Sequence, residues 1–219
     1  HVTSLRSRLH ARLDPHLGTC LATVAGILAD RSDLDVLDVA AGTGWVRDLG
    51  VRSYHALDVV PPHEPWDIDT PLPAQHVSRY DLVLCLGALH FAIDPPRTVA
   101  EFVRALRPGG ELVVSTPWIY PPHDREHDRW RISPLAARDL LAGSFEEVDL
   151  YLIGSALGLP LVVANRFVTG AFRGLPAEDL RRIVRRRRPA ERIRTHGPAD
   201  IPLRWFGPVG VVAHGRGQR

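Results

Sequence analysis

The stretch Val36-Leu37-Asp38-Val39-Ala40-Ala41-Gly42-Thr43-Gly44 decides how this sequence reads. Residues 36–40 form an apolar run carrying one acid, the length and composition of a strand buried on both faces. The run ends in Ala-Gly-Thr-Gly, 41–44, a tight turn in which Gly42 and Gly44, lacking Cβ, let the backbone approach a ligand closely and take positive φ. A strand running into such a turn is a cofactor turn of the nucleotide type. The dinucleotide fingerprint G-x-G-x-x-G is not met, because Arg47 stands three places after Gly44.

Working outward, Leu5 to Leu13 and Leu17 to Ala29 carry helical periodicity, and Asp33 to Asp35 break it before the first strand. After the turn only Trp45 to Arg52 precede a second strand, Tyr54 to Leu57, which closes on Asp58. Trp66 to Ile68 reads as a very short third strand. Leu82 to Leu86 is a continuous apolar run, as a parallel strand covered on both faces requires. Asp94-Pro95-Pro96 supplies a cap and N-terminal prolines for a helix with apolar Val99, Phe102, Val103 and Leu106, stopped by Pro108-Gly109-Gly110. Glu111 to Ser115 is strand-like, Ser133-Pro134 opens a helix to Leu141, Phe145 to Ile153 is a strand, Pro176 to Arg188 is helical and Val209 to His214 is a final strand. Strands alternating with helices predict an α/β, Rossmann-like, doubly wound and mostly parallel seven-stranded sheet with helices on both faces. One domain over 1–219 is expected: N-terminal helices in 1–32, a cofactor-binding core in 33–153, an insertion or lid in 154–202 and a terminal strand in 203–219.

The run DVLDVAAGTG, the acid Asp58 closing the second strand, the block from Tyr80 to Pro117 and the terminal strand together resemble class I S-adenosylmethionine-dependent methyltransferases, over about Asp35 to Gly215. The Arg107-Pro108-Gly109-Gly110 turn at its interval from the strand-end acids makes the resemblance specific. Trp118 to Pro134 further resembles a bacterial subgroup with a Tyr-Pro-x-His…His-Asp-x-Trp-Arg segment after the fifth strand. The resemblance implies S-adenosyl-L-methionine as cofactor and S-adenosyl-L-homocysteine as product. It implies that Gly42 and Gly44, with Ala40, line the methionine portion, that Asp38 orients the loop or the amino group, and that Asp58 accepts the ribose hydroxyls. By the same resemblance Asp67 and the Ile68 backbone recognise the adenine edge, while Leu86 and Gly87 hold the methionyl end. Three departures stand out. Ala40 replaces the family's usual first glycine, which a slightly wider turn would accommodate; the first helix is cut to little more than a turn; and His90-Phe91 stand where many relatives carry Glu and His.

Methyl transfer is an in-line displacement, so the protein's main work is alignment, with a base needed only for a protonated acceptor. Candidate bases are His90, His123 and His127, and Tyr120, Asp128 and Trp130 are candidate substrate residues, all on the carboxyl edge where open α/β sheets bind ligands. Each has a plainer alternative: His90 as a packing residue, and His127 with Asp128 as an Asp-oriented His holding the loop. The spacing His123-Asp124…His127-Asp128 offers metal-ligand types on unordered spacers, and no metal is expected. The expected function is methyl transfer from S-adenosylmethionine to a small molecule, an oxygen acceptor being favoured by the His-rich rim, with a glycan, a sugar-bearing metabolite and a polyketide-like product all open. A non-methylating binding protein on the same scaffold is the competing class, and a nucleic-acid methyltransferase the third.

Composition sets the outer bounds. The 219 residues are 45% hydrophobic and 24% charged, ordinary for a globular domain. All 27 basic residues are Arg, which excludes a pyridoxal Schiff base, a phosphate-loop Lys or a Lys base. Two cysteines, Cys20 and Cys85, are too few for a disulfide framework or a Cys-based zinc site and predict a reducing, cytoplasmic setting. Arg6, Arg8, Arg12 and Asp14 interrupt the first stretch, so no secretory signal is expected; Pro160, Asn165 and Arg166 break the apolar region Leu152 to Phe172, so no integral membrane segment is expected either. That region reads as a packed cover, a substrate lid or a membrane-touching amphipathic element. From Arg173 to Arg194, nine Arg against Glu178, Asp179 and Glu191 carry +6, which leaves −4 of the total +2 for the rest. Without interleaved aromatics this run reads as a solvated helix face, and no nucleic-acid partner is expected.

Overall fold

The computed structural model describes residues 15–42, 44–120, 122, 126–154, 189–190, 192–195 and 210–218. The sequence-derived helices Leu5–Leu13 and Pro176–Arg188, most of the apolar region Leu152 to Phe172 and most of the Arg run lie outside these residues. Among the described residues three α-helices, α1 (Pro15–Ile27), α2 (Pro95–Ala105) and α3 (Pro134–Ala142), accompany eight strands. The strands are β1 (Asp35–Val39), β2 (Ser53–Asp58), β3 (Glu64–Pro65), β4 (Tyr80–Leu86), β5 (Leu106–Pro117), β6 (Phe145–Ile153), β7 (Arg192–Thr195) and β8 (Gly210–Gln218). They form one sheet in the order β3-β2-β1-β4-β5-β8-β6-β7.

The pairing from β3 across to β5 is parallel, and β8 runs antiparallel between β5 and β6. Strand periodicity explains why the sheet needs cover on both sides. Along β4, Leu82 and Leu84 face one layer with Val36, Val113 and Val212, against Leu21, Val24 and Leu28 at α1. Val83 and Cys85 face the other, with Leu37, Val39 and Val114, against Val99 and Phe102 of α2 and Ala137 and Leu141 of α3. Both prolyl helices begin as their sequence dictates: Asp94 caps Arg97 N–H and Ser133 caps Ala136 N–H, each followed by proline in the first turn.

The doubly wound, mostly parallel class with helices on both faces holds; among the described residues the sheet has eight strands rather than seven. The extra strand β7 comes from the segment read as an insertion and pairs antiparallel with β6, Leu150 facing Ile193. Three boundaries also move. The third strand is Glu64–Pro65, not Trp66 to Ile68: the Trp66 ring turns into the core, edge-on to Phe102 at 6.4 Å, so its apolar signal reports packing rather than pairing. Helix α2 ends at Ala105, before the Pro108 turn, because Leu106 is already extended and pairs with Tyr80. The pairing then resumes at Leu82 with Glu111, so the Arg107–Gly110 turn is a bulge inside β5. Strand β8 continues to Gln218, past His214.

Candidate active site

The candidate site is at the carboxyl ends of β1 and β4, where the strand order reverses and open α/β sheets place their ligands. Strand β1 delivers Asp38, 2% exposed, onto the same face as Tyr54 of β2, whose hydroxyl donates to Asp38 Oδ2 at 2.7 Å. Burial, which disfavours a charge, pushes the Asp38 carboxyl up to about 7; the Tyr54 hydrogen bond pulls the other way and the negative Asp58 adds to the rise. Among the described residues no ion pair reaches Asp38. Tyr54 itself is raised by burial and by the Asp38 charge, and the Arg47 guanidinium lies 5.2 Å from its ring centre.

The turn after β1 is built by strain and by hydrogen bonds. Ala40 takes φ 53°, the left-handed region its Cβ disfavours, so the turn stays tight and its shape is kept at a conformational cost rather than by widening. Gly42 takes φ 56°, and a Cβ built there meets nothing within 4 Å, so its open side is free for a ligand. At Gly44 a Cβ would come 3.2 Å from the Tyr54 hydroxyl. The Asp58 carboxylate accepts from Gly42 N–H through Oδ2 and from Val60 N–H through Oδ1, both at 2.9 Å. A carboxylate offers about four lone-pair sites, so it retains acceptors for a diol. His63 Nε2 lies 2.8 Å from the Gly42 carbonyl and ties the β2–β3 loop to the turn. The short helical piece after the turn is a single 3-10 turn, Trp45–Leu49.

The remaining cofactor candidates lie around the same edge. Asp67 is exposed and closes a local turn, its Oδ1 accepting from Asp69 N–H at 3.0 Å, while Ile68 packs partly buried against the core. Gly87, past Leu86 at the end of β4, takes φ 78° with open space where a Cβ would stand, and its N–H donates to Ser115 O at 3.0 Å.

On the acceptor side, His90 lies in the 3-10 turn Leu89–Phe91 and is 1% exposed, its ring 3.9 Å from that of Phe91. The segment after β5 folds back onto this turn. Arg129 and Trp130 N–H both donate to His90 O, at 3.2 and 3.1 Å, Arg129 Nη1 reaches Phe91 O at 2.8 Å, and Trp130 Nε1 reaches Ala92 O at 2.8 Å. Asp128 forms a forked ion pair with Arg131, whose Nε also donates to Tyr120 O at 3.0 Å. The Asp128 carboxylate therefore serves Arg131, which ties the segment to itself. His127 is exposed, and His123 lies outside the described residues. The structure thus brings Arg129 and Trp130 onto the His90 turn and leaves His127 exposed. Sequence reasoning missed Tyr54 and His63. A tyrosine in a half-buried position beside a strand acid was the available signal for the first; the second comes from a proline-rich loop with no periodic pattern.

These residues fit the cofactor that the fold implies. A buried acid without an ion pair, a second acid with spare acceptors and a turn open on its ligand side suit a cationic, ribose-bearing molecule. A family model described as a methyltransferase domain matches residues 8–159, and the chain belongs to that family, within the S-adenosylmethionine-dependent methyltransferases. The chain is 42% identical over 43 residues to the ubiquinone biosynthesis O-methyltransferase of Aromatoleum aromaticum, a match spanning 20% of this chain and 18% of that protein. Among solved structures, an S-adenosylmethionine-dependent methyltransferase of Thermotoga maritima aligns at TM-score 0.56 and 16% identity over 95% of this chain and 92% of its own. The 1,6-didemethyltoxoflavin-N1-methyltransferase of Burkholderia thailandensis, solved with bound 1,6-didemethyltoxoflavin and S-adenosylhomocysteine, aligns at TM-score 0.54 and 17% identity over 94% and 80%. Among the described residues no helix is long and apolar enough to cross a membrane.

Proposed function

We propose that this protein methylates an oxygen of a small-molecule acceptor, a sugar-bearing or secondary metabolite, using S-adenosyl-L-methionine. The observation that carries the reading is the carboxyl edge of β1 and β2, where Asp38, buried without an ion-pair partner among the described residues, and Asp58 flank a turn open at Gly42. When bound, S-adenosylmethionine supplies an electrophilic methyl carbon on a sulfonium. Asp38 holds negative charge toward its cationic end, Asp58 accepts from its ribose hydroxyls, and Asp67, with the Ile68 backbone, takes the adenine edge. Ala40, Gly42, Gly44, Leu86 and Gly87 shape the backbone around the methionyl portion.

The acceptor enters between the His90 turn and the segment carrying Tyr120, His123, His127, Asp128 and Trp130. With the cofactor held by these residues, the acceptor oxygen would bond to the methyl carbon as the carbon–sulfur bond breaks, the electron pair staying on sulfur in S-adenosyl-L-homocysteine. The hydroxyl proton passes to an imidazole, His127 in the leading assignment with His123 and His90 as alternatives, and on to water; a base so placed contributes about a hundred- to ten-thousand-fold. The O-methyltransferase likeness, short as it is, agrees with an oxygen acceptor. The cytoplasmic setting and the absence of a nucleic-acid partner belong to this proposal; Arg192 of the basic run supports the latter by spending its charge on Asp149 at 2.6 Å.

The test is turnover with methyl-labelled S-adenosylmethionine against a panel of catechols, phenolic polyketides and nucleotide sugars. Label in an ether product, with His127→Ala lowering turnover by about two to four orders of magnitude at nearly unchanged cofactor affinity, is the expected result. The competing reading, a binding protein that does not methylate, draws on the strained Ala40 and the shortened first helix. Tight S-adenosylhomocysteine binding with no transfer to any acceptor would favour it.

A further inference from the structure

At the β3 edge of the sheet, His55 of β2, Glu64 of β3 and His76 of the 3-10 turn Ala74–His76 bring their donor atoms within 4.8 Å of one another. His55 Nε2 is 2.6 Å from Glu64 Oε2, and His76 Nε2 is 2.9 Å from Glu64 Oε1. Three features separate this group from a surface cluster. The His76 side chain is 1% exposed, so its imidazole is committed to the interior. Its other nitrogen, Nδ1, is fixed by the Tyr80 hydroxyl at 2.8 Å, the outer-shell arrangement that leaves Nε2 aimed at a ligand position. Gln75 Nε2 braces the carboxylate from outside at 3.1 Å. On the open side His55 and Glu64 keep 38% and 32% of their side-chain surfaces exposed, which gives an ion a way in and a water a coordination position.

From this geometry we propose that His55, Glu64 and His76 form a binding site for a divalent ion of the zinc class. Two neutral imidazoles and one carboxylate are the donor set that suits zinc, and three protein ligands with one open position is a coordination it readily adopts. Donor atoms of tetrahedral zinc, with bonds of about 2.0–2.1 Å, stand roughly 3.3 Å apart, so loading would move Glu64 about 0.7 Å further from His55 and about 0.4 Å further from His76, whose contacts are 2.6 and 2.9 Å. His76 then donates its Nδ1 proton to the Tyr80 oxygen. The role that follows is organisational. His55 lies three residues before Asp58, and Glu64 directly follows His63, so the ion clamps both ends of the loop whose Asp58 and His63 touch the Gly42 turn. The inference does not depend on the methylation reading, since its readouts need neither cofactor nor acceptor.

The experiment titrates Zn²⁺ and Co²⁺ into chelator-treated full-length protein, following calorimetry, thermal midpoint and the visible Co²⁺ spectrum. The expected result is one ion per chain, a raised midpoint and an intense tetrahedral-type Co²⁺ band. Loss of an outer-shell partner alone weakens metal sites about 10- to 100-fold; loss of a ligand in His55→Ala or Glu64→Gln should weaken Zn²⁺ by about 100-fold or more and abolish the band. His55 and Glu64 are partly exposed, so these variants test the site without emptying the core; circular dichroism checks that they fold. His127→Ala should keep the ion. Binding no tighter in the parent than in His55→Ala, or binding lost in His127→Ala and kept in Glu64→Gln, would overturn the proposal and leave a hydrogen-bonded His–Glu–His triad.

Discussion

Asp38 on β1 and Glu111 on β5 are two acids of the same parallel sheet, two strands apart, in opposite company. Glu111 takes a forked contact from Arg31, at 2.7 and 3.1 Å, and one from His214 at 2.7 Å. Although desolvation works against ionisation there, the His214 and Arg31 hydrogen bonds hold its carboxyl at about 2. Asp38 has a tyrosine hydroxyl and a second acid, and burial lifts it to about 7. Asp149 on β6 keeps company like that of Glu111: 2% exposed, it is met by Arg192 and Arg216 at 2.6 and 2.7 Å. The half of the sheet that only has to hold together pairs its acids with cations, since a buried unpaired charge is costly. On the other half Asp35, at the amino end of β1, is likewise met by Arg52 and Arg107 at 2.7 and 2.8 Å; it is at the carboxyl edge that Asp38 and Asp58 have no ion pair among the described residues, and that deficit is what a cationic cofactor can fill.

The largest expected effect comes from filling the space beside the crevice acids. Gly42→Val imposes a branched side chain at φ 56° and projects it into the open side of the turn. Strain of about 1–2 kcal/mol plus lost room should weaken S-adenosylhomocysteine by about 100-fold in calorimetry while the far-ultraviolet spectrum stays the same; unchanged affinity would move the cofactor away from this turn. Glu111→Gln sharpens the other side of the comparison. It should cost about 1–3 kcal/mol of denaturant-measured stability at neutral pH, by removing a carboxylate from its charged partners. The folded value of about 2 lies below the ordinary 4.5, so the parent's Glu111 contribution is fully present above 4.5 and is lost as pH falls toward 2; the variant should lack that part of the acid slope.

How far this contrast was legible depends on its residues. The β1 run, the glycine turn and Asp58 could be read because a buried strand and a tight turn leave local signatures, and the alternation of strands with helices predicted the doubly wound sheet. The partners of the acids could not: Arg31 and His214 lie 80 and 103 residues from Glu111, and no local pattern announces such pairs. Strand β3 was misplaced because Glu64-Pro65 has no apolar signal while Trp66 beside it does, for packing reasons. Strand β7 was hidden in a segment dominated by arginines, one of which neutralises Asp149. The carboxyl-edge position of the His90 turn and of the segment after β5 could be read from the strand order; that Arg129 and Trp130 donate to His90 O, and that Asp128 serves Arg131, rested on directions no spacing reveals.

Two smaller effects probe the crevice directly. Asp38 binds its proton more tightly folded, at about 7, than at its ordinary 3.8, so its effect on stability is the reverse of Glu111: stability falls as pH rises from about 4 through 7. Asp38→Asn should flatten that fall in a stability-against-pH series, and a slope identical to the parent's would mean that Asp38 is ionised without penalty. Ala40→Gly relieves a left-handed alanine, a gain of about 1–2 kcal/mol partly offset by the entropy of an added glycine. A net stabilisation of roughly 0.5–1 kcal/mol is expected; destabilisation would show that the alanine methyl packs usefully.

The central claim, that Asp38 and Asp58, acids with no ion pair among the described residues, mark the cofactor site, is tested most directly by calorimetric titration of S-adenosylhomocysteine into the parent protein and Asp58→Ala. The account predicts one site per chain with micromolar affinity, weakened at least tenfold, about 1.4 kcal/mol, when the Asp58 carboxylate is removed. No heat of binding at millimolar ligand, or equal affinity in the two proteins, would contradict it.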